Sequence, residues 1–435
     1  MNEPWQLGIA AAGRAIAGRA LTSSALVRSL LERADHIDGD VKAWVRLARD
    51  SALREAARLD AEAAAGRLRG PLHGVPLAIK DIVYTAGIET NVGSTLLAGF
   101  VPAEDAPLVR RLREAGAIVL GKSAMTEFAA MDPAPTRNPW NLEHTPGGSS
   151  SGSAAAVAAC LAPGAIGTQT AGSIIRPASY CGVVGLKPTY DAVERAGVFP
   201  CAWSMDHVGP MARSVEDVAL LYATLAGDHK HPAGEIDMRI GVADRYFYER
   251  ADHDTRRAFE ETVKTLTAAG ARLVQVKLPP SFEAGVDAGI VTMYAEMAAV
   301  HRQRFSTQRE RYGWKLACLL DAGGEVSAVD YLRAQQVRRI AGAELSSVLS
   351  QIQCLMTPST PAPAPKGLGA TGDWTHNLPF SSSGHPALTV PVSLSGAGLP
   401  ISVQLAARHG GEERLFHCGS MIERLVNFSH KARCR

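Results

Sequence analysis

Residues 144–160 of the chain read HTPGGSSSGSAAAVAAC, two glycines and a run of serines that lead into small apolar residues. No Asp, Glu, Lys or Arg stands between Glu143 and Arg176. The prolines and the many Gly and Ser residues of this region are not typical of a lipid-facing helix. We therefore interpret the stretch as buried protein interior. Strands and helices are predicted to alternate on both sides of it, which indicates an α/β fold.

The composition is that of a globular protein of ordinary polarity. The chain has 435 residues, of which 46% are apolar and 20% are charged, and its formal net charge is +2. This near-neutral balance gives no reason to expect nucleic acid or a membrane surface as a partner. The seven cysteines form no CxxC pair, and the N-terminus lacks the layout of a signal peptide. We expect reduced thiols, no metal and no cofactor, and a cytoplasmic location.

The spacing of apolar residues predicts most of the secondary structure. Residues 21–65 are predicted to be helical, residues 117–120 to form a strand, and residues 281–350 to be mainly helical. Late strands are predicted in PALTVPVSL (386–394) and LPISVQLAA (399–407). PSTPAPAPKGLGATG (358–372) is predicted to be a flexible surface loop, because strands continue beyond it.

Two short motifs match known patterns only in part. GAIVLGKS (116–123) satisfies the phosphate-loop pattern, but its inner residues read as a strand whose N–H groups serve neighbouring strands. GSSSG (148–152) satisfies the nucleophile-elbow pattern with Ser150 as the nucleophile, yet no strand precedes it. An α/β-hydrolase-like serine hydrolase that uses Ser150 stays open as an alternative. The partners that it would recruit are Asp206, His207, Asp228 and His229.

Three other stretches contain side chains suited to catalysis. Lys80 ends the apolar run GVPLAIKD (74–81), where burial would lower its pKa and make a neutral general base. Its alternative is a lysine that reaches solvent or pairs with Asp81. Ser149 follows two glycines, and Ser173 lies in a tight turn after a predicted strand. Turn-making and capping are the alternative role of both serine clusters.

Together these stretches resemble the amidase signature family. The resemblance is found in separated motifs in the same order: GVPLAIKD, GKSAMTEFA, TPGGSSSGSAAAVAA, TQTAGSIIRPASYCGVVGLKPTY, SMDHVGPMARSVED, GHPALTVPVS and GLPISVQL. It implies a single large α/β domain over residues 1–435, with a mixed, twisted β-sheet covered by helices on both faces. We divide this domain into an N-terminal helical segment (1–65), the catalytic core motifs (66–227), a mainly helical peripheral segment (228–350) and C-terminal strands that complete the core (351–435).

The resemblance also implies a Ser-Ser-Lys catalytic triad. Lys80 would be the base, Ser149 the bridging serine after a cis peptide bond, and Ser173 the nucleophile. The backbone N–H groups of the loop after the strand would form the oxyanion hole; they belong to Thr170, Ala171, Gly172 and Ser173. Such an enzyme hydrolyses a carboxamide through an acyl-enzyme and releases ammonia or an amine. The family usually has Gly where Ala171 stands, which would matter if this position needs a left-handed backbone.

Arg176 suggests a class of substrate. It stands three residues after Ser173, a spacing similar to malonamidase-type members, whose arginine grips a substrate carboxylate. We therefore expect a small-molecule amide that can carry a carboxylate. The alternative is an arginine that ties the loop to the core. Three stretches are candidates for the far wall of the pocket, residues 125–132, 200–207 and 366–383.

Three functions remain open at this point. The first is a free-standing amidase. The second is the glutaminase subunit of a tRNA-dependent amidotransferase, which works with partner subunits; the short C-terminal region and the spacing of Arg176 argue against it. The third is a non-catalytic binding protein on the same scaffold, which the presence of all three triad side chains disfavours. A homodimer is the default expectation for such an enzyme.

Overall fold

The computed structural model describes residues 3–227, 239–243 and 245–432. Eleven strands of this described part form one sheet, in the spatial order β1-β3-β2-β4-β6-β5-β10-β11-β9-β7-β8. In chain order the strands are β1 (Trp44–Leu47), β2 (Pro76–Lys80), β3 (Ile118–Ser123), β4 (Gly164–Gln169), β5 (Val184–Lys187), β6 (His207–Ala212), β7 (Arg239–Ala243), β8 (Arg272–Val276), β9 (Cys354–Pro358), β10 (Ala387–Leu394) and β11 (Pro400–Ala406).

The sheet is mixed, and its parallel part positions the candidate site. β2 runs parallel to both β3 and β4, while the central strands from β4 to β9 pair antiparallel. β7 pairs parallel with β8 and β9 at the far end. Parallel neighbours end at the same edge of a sheet. Lys80, at the end of β2, therefore lies beside the end of β4 and the loop that follows it, because Ile79 is in register with Ile166.

Helices flank this sheet. The helices of the described part are α1 (Ile9–Ala17), α2 (Ser23–Val41), α3 (Arg49–Ala64), α4 (Pro107–Glu114), α5 (Ser151–Ala158), α6 (Ile175–Cys181), α7 (Val215–Ala226), α8 (Phe247–Arg250), α9 (His253–Ala268), α10 (Phe282–Gln308), α11 (Trp314–Gly324), α12 (Ala328–Ser350), α13 (Leu378–Ser382) and α14 (Glu412–Val426). The predicted single-domain α/β fold with a mixed sheet is confirmed. The division into four segments stays a prediction.

The charge-free stretch is buried, as predicted. Residues 151–157 of α5 are all buried. A Cβ at Gly152 would lie 2.2 Å from the carbonyl oxygen of Ala43, so only glycine lets this helix approach the neighbouring backbone so closely. A charged side chain at such a position would lose its hydration without gaining a partner. None of the helices in the described ranges has the length and hydropathy of a membrane span.

The structure differs from the predicted elements at a few strands. β1 lies inside the region 21–65 that was predicted to be helical; it has four residues and pairs at the sheet edge with β3, too short for a period-2 pattern to stand out. β3 extends to Ser123, beyond the predicted 117–120. β5 and β6 were not predicted. The helical region 281–350 is confirmed by α10, α11 and α12.

Candidate active site

Lys80 is fully buried at the end of β2. Its Nζ donates hydrogen bonds to Ser149 Oγ at 2.7 Å, to Thr168 Oγ1 at 2.7 Å and to the carbonyl oxygen of Thr168 at 3.4 Å. Burial lowers the pKa of Lys80 to about 7, because the charged ammonium loses its hydration. A lysine with this pKa is largely neutral at slightly alkaline pH and has a serine hydroxyl within reach.

The alternative partner of Lys80, Asp81, points elsewhere. Successive side chains of a strand face opposite sides, and Asp81 lies 3.7 Å from Nζ of Lys122 while accepting the backbone N–H groups of Asn91 and Val92. A pairing of Lys80 with Asp81 is therefore wrong. The same contact explains the GAIVLGKS motif, since Lys122 is the buried partner of a carboxylate within a strand.

Ser149 follows the cis peptide bond between Gly148 and Ser149. Arg176 holds the carbonyl oxygen of this peptide bond, with Nε at 3.2 Å and Nη2 at 2.6 Å. Its Nη1 donates to the carbonyl oxygen of Gly372 at 2.6 Å. Arg176 thus ties the Ser149 loop to the segment around Gly372, which is the loop-anchoring alternative for this arginine.

Ser173 lies in the loop of residues 170–173, between β4 and α6, which we call the oxyanion loop. Gln169 holds the far end of this loop, because its Oε1 accepts the N–H groups of Ile174 and Ile175 at 2.8 and 2.9 Å. The N–H of Ser150 donates to the carbonyl oxygen of Ser173 at 3.3 Å, so the two serine loops are in contact.

The oxyanion loop has backbone N–H groups that can bind a ligand. Within the described ranges, no protein acceptor takes the N–H groups of Ala171, Gly172 and Ser173, and the Ser173 hydroxyl makes no hydrogen bond. These residues line a cavity of about 40 Å³. The arrangement has the donors and the free hydroxyl that an attack on a carbonyl requires.

Ala171 fits its position without strain. Its φ angle is not positive, so the usual Gly at this place is not needed for a left-handed backbone. Its carbonyl oxygen accepts a hydrogen bond from Ser381 Oγ at 2.7 Å. Gly172 is the position that needs glycine, because a Cβ there would lie 2.7 Å from Oδ1 of Asn377 and 2.9 Å from Cβ of Trp374.

The cavity beside Ser173 is walled mostly by apolar side chains. All three candidate stretches for its far wall contribute, 125–132 through Met131, 200–207 through Cys201 and 366–383 through Trp374. The complete lining is Ala129, Ala130, Met131, Thr170, Ala171, Gly172, Ser173, Arg176, Cys201, Met293, Tyr294, Met297, Leu319 and Trp374. The lining residues of α10 and α11 were not predicted, because they lie more than a hundred positions from Ser173 and carry no motif.

The segment 358–372 is more firmly held than a flexible surface loop. Ala364 and Thr371 are buried, the carbonyl oxygen of Ala364 bonds to Nδ1 of His144 at 2.8 Å, and Arg176 bonds to Gly372. The prediction of a flexible loop was wrong for these residues, because polar loop backbone finds partners in the serine loop that it covers.

Ser150 has the surroundings of a structural serine. It is fully buried, and its Oγ donates to the carbonyl oxygen of Thr168 at 3.1 Å and lies 3.3 Å from the N–H of the same residue. Asp206 and His207 bond to Thr170 and to the Gln169 carbonyl oxygen instead. The other partners of the elbow alternative, Asp228 and His229, lie outside the described residues.

No group of three or more His, Cys, Asp or Glu side chains converges on a common point in the part of the chain that is described. The hydrogen-bond partners of Lys80 Nζ are two hydroxyls and one backbone carbonyl oxygen. The arrangement as a whole consists of a buried lysine, a hydroxyl at hydrogen-bond distance from it, a second free hydroxyl and unpaired backbone donors.

Comparison with known proteins places this site in a family. The family model described as Amidase matches residues 25–416. A glutamyl-tRNA(Gln) amidotransferase subunit of Geobacter metallireducens is 34% identical over 452 aligned positions, covering 91% of this chain and 92% of that protein.

Solved structures agree with this match. One described as an amidase is 33% identical, has a TM-score of 0.90, and covers 96% of this chain and 100% of its own. The native peptide amidase from Stenotrophomonas maltophilia is 32% identical, with a TM-score of 0.85 and 99% of both chains covered. This chain belongs to the amidase signature family, whose hydrolases act on the C–N bond of amides.

Proposed function

We propose that this chain hydrolyses a carboxamide C–N bond with Ser173 as nucleophile, Ser149 as proton relay and Lys80 as base. The observation that carries the proposal is the buried Lys80, with a pKa lowered to about 7 by desolvation and Ser149 Oγ at 2.7 Å. A neutral amine can accept a proton, whereas a charged ammonium cannot.

The reaction runs in two halves. Ser173 Oγ forms a bond to the amide carbon while its proton passes through Ser149 to Lys80. The oxyanion is held by the backbone N–H groups of residues 170–173. The tetrahedral intermediate expels the nitrogen, which leaves as ammonia or an amine after taking the proton back. Water then attacks the acyl-enzyme by the same relay and releases the carboxylic acid.

The cavity favours a small acyl group. Its volume of about 40 Å³ and its methionine, leucine and tryptophan walls suit a short, largely apolar chain. Arg176 also lines this cavity, and three of its five N–H groups are taken by backbone carbonyls. The others can receive a substrate carboxylate, which keeps the malonamidase-type substrate as part of the proposal.

The second candidate is the glutaminase subunit of an amidotransferase. The curated relatives support it more than the free-standing amidase, because the Geobacter metallireducens protein is named as part of such an enzyme and aligns over nearly its whole length. In this case glutamine would be the amide, and a partner would receive the ammonia. A homodimer and a cytoplasmic location stay untested predictions, and the non-catalytic binding protein stays the disfavoured alternative.

Ammonia release from a panel of amides tests both candidates. The panel contains malonamate, other short ω-amide acids, neutral aliphatic and aryl amides, and glutamine, each with wild type and Ser173→Ala. Turnover of short amides by the isolated chain, lost in the variant, supports the free-standing amidase. Glutamine turnover that appears only when partner subunits are added supports the amidotransferase role. Turnover that survives in Ser173→Ala contradicts the proposed nucleophile.

Arg176→Ala separates its two roles. A substrate-carboxylate contact predicts a large rise in KM for acidic amides and a small one for neutral amides. If Arg176 acts only through the Gly148 carbonyl, both substrate types lose kcat to the same extent. That equal loss would exclude the carboxylate role.

A further inference from the structure

The motif SMDHVGPMARSVED (204–217) contains one carboxylate whose role the proposed reaction does not explain. Asp206 is partly buried and bonds to two residues that line the cavity beside Ser173, Thr170 and Cys201. Its Oδ1 accepts a hydrogen bond from Thr170 Oγ1 at 2.6 Å, and its Oδ2 accepts the N–H of Cys201 at 2.8 Å. The N–H of Ala202 lies 3.1 Å from both carboxylate oxygens. The carboxylate thus holds three donors from two separate segments.

The two segments that Asp206 joins both line the cavity beside Ser173. Thr170 is the first residue of the oxyanion loop, and Cys201 belongs to the stretch 200–207. Other contacts hold the rest of the loop, from Ser381 at the Ala171 carbonyl and from Asn377 against Gly172. The start of the loop is held by the side chain of Asp206.

We propose that Asp206 is a positioning residue of the active site, which fixes the oxyanion loop through the Thr170 hydroxyl and places a negative charge near Lys80. The inference rests on the proposed function. Thr170 directly precedes the free N–H groups of Ala171, Gly172 and Ser173 and carries one of the N–H groups proposed for the oxyanion hole, and donors that move by a fraction of an ångström lose much of their effect on a transition state. Removing the carboxylate or the hydroxyl therefore lowers kcat, although neither group touches the reacting atoms.

The charge of Asp206 acts on Lys80 as well. Within the described ranges, Lys80 Nζ bonds to the hydroxyls of Ser149 and Thr168 and to the Thr168 carbonyl oxygen, all uncharged, and the titratable groups whose charge acts on its pKa are Cys201 and Asp206. Burial raises the pKa of Cys201 to about 12, so this thiol is neutral at pH 7. Asp206 is the ionised neighbour, and its negative charge favours the ammonium form of Lys80.

The pKa of Asp206 also lies close to neutral pH. Burial raises its pKa to about 6, against the hydrogen bonds from Thr170, Ala202 and Cys201 and the charge of Arg195, which lower it. Above pH 6 the carboxylate is ionised and accepts all three donors. Its loss by substitution removes a charge that raises the Lys80 pKa, so the acid limb of the pH–rate profile moves to lower pH.

Three variants separate positioning from a merely structural role. Asp206→Asn keeps the shape but loses the charge and one acceptor. Thr170→Val removes only the hydroxyl, and Thr170→Ser retains it as the matched control. We expect Asp206→Asn and Thr170→Val each to lower kcat by about 10- to 100-fold, with little change in Tm, and Thr170→Ser to recover most of the kcat that Thr170→Val loses. The double variant Asp206→Asn/Thr170→Val should be no slower than the worse single variant, because both substitutions act on the same hydrogen bond between Thr170 and Asp206.

The pH profile is the second readout. Asp206→Asn should shift the acid limb of kcat/KM to lower pH, and Thr170→Val should shift it less and in the same direction, because loss of the hydrogen bond from Thr170 raises the pKa of Asp206 without removing the carboxylate. Multiplying effects in the double variant, or a lower Tm with unchanged kcat per folded molecule, would overturn the inference. If Ser173→Ala and Lys80→Met retain activity, the proposed function itself fails. If they abolish it while Asp206→Asn and Thr170→Val do not lower kcat, only the role of Asp206 fails.

Discussion

Removal of the Thr168 hydroxyl beside Lys80 should let the enzyme keep a larger fraction of its maximal kcat/KM at acid pH. Thr168 Oγ1 accepts a hydrogen bond from Nζ of Lys80 at 2.7 Å. Thr168→Val replaces the hydroxyl by a methyl group of similar size. The ammonium form of Lys80 loses more stabilisation than the neutral amine. A hydrogen bond to a charged group contributes about 1.5–3 kcal/mol, and one between neutral groups about 0.5–1.5 kcal/mol.

The difference, about 1–1.5 kcal/mol, lowers the pKa of Lys80 by about one unit. The wild-type pKa is about 7, so at pH 6 the wild type should keep about a tenth of its plateau kcat/KM and the variant about half. The sign follows from the base being the neutral form: activity is lost as pH falls through the folded-state pKa, and a lower pKa moves this loss to lower pH.

The assay is kcat/KM for ammonia release between pH 5 and 9, each variant normalised to its plateau. Thr168→Ser is the control, since it keeps the oxygen and should retain the wild-type limb. An acid limb that does not move in Thr168→Val, or that moves to higher pH, would show that the limb does not report the titration of Lys80.

Three further substitutions test individual parts of the site. Gly172→Ala should lower kcat by roughly a hundredfold or more, because its Cβ would lie 2.7 Å from Oδ1 of Asn377 and displace an oxyanion donor. Gly342→Ala is the control in the same assay, because its Cβ would lie 3.7 Å from the nearest atom, Cβ of Ser383. Ser150→Ala should keep kcat within a few fold while lowering Tm slightly, whereas a loss as large as that of Ser173→Ala would restore the nucleophile-elbow alternative. Ala171→Gly should leave kcat nearly unchanged, since the φ of Ala171 is not positive, and a large gain would show that Ala171 does restrict the loop.

Much of the site could be predicted because its parts are local in the sequence. Lys80, Ser149 and Ser173 each stand in a short motif with distinctive composition, and the absence of charge over 144–175 matches the burial of α5. Local backbone requirements were also visible, since glycines precede Ser149. These features depend on neighbours within a few residues, which a sequence displays directly.

The rest depends on contacts between distant segments. Nothing near Asp81 or Lys122 reveals that they pair with each other, because strand alternation and register decide which lysine of two parallel strands faces which carboxylate. α10 and α11 also contribute residues to the cavity wall. In the sequence these residues have the pattern of an ordinary apolar helix face, so nothing marks them as part of a site. β1 escaped prediction because four residues at a sheet edge carry too little pattern.

The Arg176 hypothesis shows a similar limit. Its spacing from Ser173 pointed to a substrate carboxylate, and the backbone carbonyls of Gly148 and Gly372 could not be foreseen as partners. Backbone acceptors are present at every residue, so a sequence gives no signal for which of them a guanidinium will meet.

In the proposed reaction Ser173 is the nucleophile and Lys80 activates it. The most direct measurement is mass spectrometry of the chain after reaction with a fluorophosphonate, followed by peptide mapping of the adduct. We expect one adduct on Ser173 in the wild type, its loss in Ser173→Ala, and strongly slowed labelling in Lys80→Met. An adduct on Ser150, or labelling of Ser173 at the same rate in Lys80→Met, would contradict the account.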